Sequence, residues 1–139
     1  MSAPSSRIGN TFETLRLWGL SFGAVVLVRM ALWLTTYKQI RLWLPDAAGQ
    51  PDSRFYGRRV ALHVRRAARF VPRASCLTQA LAAQFILARS GHCSTIRIGV
   101  ERNGAGSMDA HAWLVCEGRV VIGDLEPELE RYTLMTELN

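Results

Sequence analysis

Hydrophobic and polar positions divide this chain into two regimes. Between residues 11 and 91 apolar side chains recur at steps of three and four, the period of helices; between residues 95 and 122 they alternate, the period of strands. In the first regime Leu15, Trp18, Phe22, Val25, Val26, Arg29 and Trp33 repeat at helical spacing. They predict a helix within Thr11–Leu44, broken near Thr35 and Thr36, with its Trp and Leu side packed on the domain. Residues 1–10 are small and polar, and frayed ends have this composition. Pro45 closes the segment, and residues 47–53, with Gly49 and Pro51, read as a linker. A helix over Arg54–Phe70 follows, with Val60, Val64, Ala67, Ala68 and Val71 on its apolar side. The next helix starts at Ser75, which supplies an N-cap, and stops at Gly91. Leu77, Leu81, Phe85 and Ala88 form one apolar row on it, and Cys76, Ala80, Ala83 and Leu87 a neighbouring row.

Then the period becomes two. Ile96, Ile98 and Val100 alternate with Arg97, Gly99 and Glu101, a strand. Asn103-Gly104-Ala105-Gly106 is a turn, Met108–Cys116 a second strand, Glu117-Gly118 a tight hairpin turn, and Arg119–Ile122 a third strand. A short edge strand is expected near Tyr132–Met135. Helices followed by an antiparallel meander give an α+β domain. Residues 1–50 form an N-terminal helical segment packed on a core made by residues 51–139.

Composition narrows the chemistry. The chain has 139 residues, enough for one core, and its 49% apolar content excludes disorder. Three cysteines without a regular framework point to a reducing, cytoplasmic setting. Neither CxxC nor HExxH nor a Gly-rich phosphate loop occurs, and His92, Cys93 and Cys116 lack metal-ligand spacing, so no metal or cofactor is expected. The net charge of +6 is local: residues 54–73 hold seven arginines and no acid, which leaves −1 for the remainder. Arg54, Arg58, Arg65 and Arg69 share one helix face. Such a face is either solvated or a dock for an acidic peptide or protein, with Arg58 and Arg65 at its centre. Interleaved aromatics and nucleic-acid motifs are lacking, so no nucleic-acid partner is expected. The uncharged run Leu17–Val28 has 12 residues, against the roughly 20 a membrane span needs, and Arg29 ends it. Membrane contact is therefore expected to be peripheral at most.

One cysteine stands where chemistry is favoured. Cys76 falls in the first turn of its helix, where unpaired N–H groups and the positive end of the dipole favour a thiolate. A cysteine nucleophile needs a base, and the base an orienting group. Of the three histidines only His111 lies in a strand, in Ala110-His111-Ala112-Trp113. Alternation puts His111, Trp113 and Val115 on one face, with Trp113 able to shield the imidazole. Asp124 follows the next strand, where a carboxylate can hold the imidazole tautomer.

Cys76-Leu77-x-x-Ala80-Leu81-Ala82-Ala83, then Ile98-Gly99-Val100, His111-Ala112-Trp113 and Asp124, resembles the transglutaminase-like leader peptidases of lasso peptide biosynthesis, the B proteins. The resemblance covers about residues 60–124. It implies a papain- or transglutaminase-like peptidase core over residues 51–139, with Cys76 as nucleophile, His111 as general base and acid, and Asp124 as orienter. It implies a substrate too: a ribosomally made precursor whose leader is removed before a lasso cyclase closes the macrolactam. Two departures stand out. No Gln or Asn lies between Pro51 and Ser75 to help an oxyanion hole, and Gln79 follows the nucleophile, so backbone N–H groups, that of Cys76 among them, are expected to serve. Residues 1–50 are too short and too apolar for a leader-recognition domain, which implies a separate leader-recognition protein. Acyl transfer to an amine with the same triad, and a non-catalytic peptide-binding scaffold, are the competing readings.

Overall fold

The helix expected around Cys76 is α4, Cys76–Arg89, and the other elements pack round it. The computed structural model describes residues 5–42, 53–102, 104–123 and 132–138. In chain order the elements before α4 are α1 (Ser5–Leu34), α2 (Tyr37–Arg41) and α3 (Ser53–Ala68). After it come β1 (Thr95–Arg102), β2 (Met108–Cys116), β3 (Arg119–Ile122) and β4 (Thr133–Leu138).

The two ends of α4 form from local chemistry. Ser75, in extended conformation, accepts the Thr78 amide on its hydroxyl at 3.3 Å, so one orphan donor of the first turn is satisfied. At the other end Gly91 takes a left-handed φ of 79°, its amide bonds the Ala88 carbonyl, and the His92 amide bonds that of Leu87. This is the Schellman closure, which needs a residue without a Cβ penalty. Two apolar rows imply a one-sided helix, but α4 is buried more widely. Thr78, Ala82, Gln84 and Ile86 are buried together with Ala80, Leu81, Ala83 and Leu87. The cause is tertiary: α1 and α3 cover one side while β2 and β1 cover another, and the alanines let them approach.

α1 is a single helix of 30 residues that ends where the sequence indicates. The Thr35 hydroxyl bonds the Ala31 carbonyl at 3.1 Å, Thr36 is extended, and α2 begins at Tyr37. Its packing face differs from the expected one. Leu17, Ser21, Ala24, Val25, Val28 and Ala31 meet α3 and α4, whereas Leu15, Trp18 and Trp33 are exposed, Trp33 by 81%. Small side chains at Ser21, Ala24 and Ala31 permit close helix approach, and bulky aromatics would hold the axes apart. The Trp and Leu side is thus the outer one, and Phe12, Leu27, Met30 and Leu34 extend it. Thr11–Leu34 is long and apolar enough to cross a membrane by length and composition, a correction to the length argument from the 12-residue run, and 33% of its most apolar window is buried inside the fold.

α3 buries Val60, Val64 and Ala67 completely. His63 is buried there too; its Nδ1 donates to the Arg59 carbonyl at 2.8 Å, and Nε2 has no partner among the described residues. The strands form one antiparallel sheet in the order β3-β2-β1-β4. The Glu117-Gly118 hairpin has left-handed φ at both residues, 47° and 75°, the geometry that matches strand twist. The expected edge strand is β4, longer than the sequence signal, held to β1 by its ladder and by the Arg97 Nε–Glu137 Oε1 ion pair at 2.6 Å.

Candidate active site

Cys76 is the first helical residue of α4, half-buried and packed against the helix-side core. The segment leading to it is tightly bent. Arg73 carries a φ of 59°, strained for a residue with a side chain, and the Gln79 amide group donates to the Ala74 carbonyl at 3.4 Å. Gln79 thus braces the entry to the helix. The Ser75 and Thr78 hydroxyls are 3.1 Å apart and fix the cap. No acidic residue lies in the first turn, so no side-chain charge there opposes the positive end of the dipole.

His111 is half-buried in β2, directly opposite Gly99 of β1. Strand alternation sorts its neighbours. Ala112, Leu114 and Cys116 enter the core beneath the helices, while Trp113 and Val115 belong to a second cluster on the other face with Val120 and Tyr132. The His111 ring lies 6.3 Å from Trp113 and 5.3 Å from Tyr132, centroid to centroid. Trp113, 6% exposed, is thus placed to screen the imidazole, as expected from the alternation, and Tyr132 adds a second wall. Glycine is required opposite this cluster. A Cβ on Gly99 would sit 2.8 Å from Trp113 Cη2 and 2.9 Å from Tyr132 Cβ.

Cys76 stands at the start of α4 and packs in the helix-side core, whereas the His111 ring lies with Trp113 and Tyr132 on the opposite face of the sheet. α4 spans about 21 Å at 1.5 Å per residue. Among the described residues no hydrogen bond joins Cys76 to His111. Asp124, the expected orienter, lies outside the described residues. Its neighbour Gly123 is held: Arg65 of α3 donates to the Gly123 carbonyl at 2.8 Å, and Gly123, with a φ of 120°, lies tight against Trp113. Of the two arginines expected on a docking face, Arg65 is therefore engaged within the molecule, and Arg58 is exposed. The roles of Tyr132 and Arg65 at this site carry no local sequence signal. The residues they meet lie far away along the chain.

The other cysteines are set apart from Cys76. Cys93 is exposed. Cys116 is fully buried, its Sγ 3.4 Å from the Cys93 carbonyl, and burial pushes its thiol above the ordinary range, with Glu117 and Cys93 adding to the rise. A thiol kept protonated is a poor nucleophile. No group of His, Cys, Asp and Glu among the described residues could hold a metal ion.

No curated protein and no solved structure matches this chain. Residues 24–137 match the transglutaminase-like superfamily, a span that opens within α1 and takes in every element after it.

Proposed function

This chain belongs to the transglutaminase-like superfamily, and from that premise we propose that it is a cysteine peptidase that removes the leader from a lasso peptide precursor. The fold family supports cysteine-dependent chemistry and includes both peptidases and acyltransferases. The observation that supports the reading is Cys76 at the first position of a helix capped by Ser75. In the proposed reaction His111 takes the Cys76 proton and the thiolate attacks the scissile carbonyl carbon. The oxyanion is met by backbone N–H groups, that of Cys76 among them. The imidazolium passes its proton to the leaving amine as the C–N bond breaks. Water, deprotonated by His111, then cleaves the thioester and releases the leader acid. Asp124 orients the imidazole.

The partners in this reading are the precursor peptide, a separate leader-recognition protein and a lasso cyclase. A cytoplasmic location suits three free cysteines. Membrane contact through the outer side of α1 would be peripheral in this reading, because the Thr11–Leu34 stretch carries Glu13, Arg16 and Arg29.

The test is mass spectrometry of a candidate precursor incubated with the protein and its recognition partner, with and without an added amine. Leader release as the free acid, lost in Cys76→Ala and His111→Ala and partly kept in Asp124→Asn, supports the proposal. An amine adduct formed in preference to the acid would make the protein an acyltransferase. An unmodified precursor bound tightly by the wild type would make it a scaffold.

A further inference from the structure

At the opposite end of α4 from Cys76 lies a cavity of about 320 Å3 that no step of the proposed reaction uses. It opens between the N-terminal half of α1, the start of α3 and the turn after α4, and its volume is at the lower end of the range for ligand pockets. Arg16 and Arg59 line it with Tyr56, Ser90, His92 and Glu13, over the apolar side chains of Leu17 and Leu20. The polar wall is prearranged. Tyr56 Oη and Ser90 Oγ are 3.1 Å apart, and the Tyr56 ring stacks on His92 at 4.8 Å. The Schellman closure engages the carbonyls of Ile86, Leu87 and Ala88, so the end of α4 turns hydroxyl and ring toward the cavity rather than bare acceptors. Among the described residues no carboxylate is within ion-pair distance of Arg16 or Arg59. Two guanidinium groups against one carboxylate, beside apolar surface, suit an anionic group carried on an apolar body.

We propose that this cavity is an exosite that holds an acidic side chain of the peptide substrate and the apolar residue next to it. The inference rests on the peptidase reading for its source of peptide. α4 is about 21 Å long, so a ligand here touches no reacting atom. About six extended residues at 3.3 Å each bridge the distance to Cys76. The acidic side chain would therefore lie six or more residues from the scissile bond.

The experiment reads binding in the full-length Cys76→Ala protein, where cleavage plays no part, so loss of the peptidase reading leaves its outcome intact. Ring signals of Tyr56 and His92 are followed by NMR during titration with acetyl-Ala-Glu-Leu-Ala-amide, its Gln counterpart, and inorganic phosphate. The Glu peptide is expected to shift both rings, with binding at least tenfold weaker for the Gln peptide. It is also expected to be at least tenfold weaker when Arg16→Gln and Arg59→Gln are combined, while Arg16→Lys with Arg59→Lys retains most of it. Unchanged Trp113 signals certify that each variant is folded. Equal binding of Glu and Gln peptides, or binding that survives the double Gln change, overturns the proposal. Shifts caused by phosphate with both peptides silent assign the cavity to a free anion and overturn the peptide source.

Discussion

The Arg65 guanidinium donates to the Gly123 carbonyl across 2.8 Å and so ties α3 to the end of β3, next to Asp124. A charged donor on a main-chain carbonyl restrains the backbone more than it stabilises the fold. At this exposed site the gain is at most about 1 kcal/mol. Arg65→Met should therefore lower kcat for the proposed reaction several-fold with a fall of only a few degrees in Tm. Arg58→Met, which leaves that carbonyl anchored, should leave kcat unchanged. Equal effects of the two changes, expressed in KM alone, would return Arg65 to the role of a docking residue.

Gly99 offers a test of the aromatic wall around His111. Alanine there must displace Trp113 or Tyr132, both within 3 Å of the new methyl group. Overpacking of this kind costs roughly 1–3 kcal/mol. Gly99→Ala should lower Tm by several degrees and lower kcat several-fold, because the imidazole loses its aromatic walls. Denaturant melts and steady-state rates of the two proteins check both parts. An unaltered kcat would mean that Trp113 and Tyr132 serve packing only.

Cys116 links stability to alkaline pH. Its thiol is raised in the folded chain, so the folded state holds the proton more tightly than the unfolded one. That contribution is complete below about pH 8.5, the ordinary thiol value, and is lost as pH rises through the raised folded value. Tm should fall above about pH 8.5, and Cys116→Ala, though less stable at neutral pH, should show a flatter alkaline limb. Melting curves between pH 7 and 10.5 decide it; parallel limbs would exclude this thiol. Iodoacetamide at pH 8 should label Cys93 well before Cys116.

Truncation probes the inner face of α1. Removal of residues 1–50 deletes Leu17, Ala24, Val25, Val28 and Ala31 from the core. At roughly 1.5 kcal/mol or more for each larger side chain, the loss rivals the whole stability of a small domain. Residues 51–139 alone should aggregate or melt without a cooperative transition, as calorimetry would report. A soluble, fully active fragment would show that α1 is an addition to the fold rather than part of it.

Local signals made much of this fold legible. Ser75 and Gly91 delimit α4 because capping is a matter of neighbouring backbone groups, and Glu117-Gly118 places the β2–β3 hairpin because few residue pairs accept its dihedrals. The orientation of α1 was not legible. Both of its sides are apolar, and the choice between them is made by how closely Ser21, Ala24 and Ala31 let α3 and α4 approach. At the candidate site Cys76, His111 and Trp113 stood out by position within their own elements. Tyr132 and Arg65 could not, since a ring contact with His111 and a bond spanning 58 residues arise only from tertiary assembly.

The burial of α4 has a consequence for hydrogen exchange. Amides from Ala80 to Ala88 sit in the most enclosed helix and should exchange only through global unfolding, on the slowest timescale the protein has. The Cys76 and Leu77 amides, in the first turn, lack intrahelical acceptors and should exchange fastest in the same helix. A substrate oxyanion seated on the Cys76 amide would slow it selectively, giving a deuterium signature of occupancy confined to one residue at the tip of the stiffest element in the molecule.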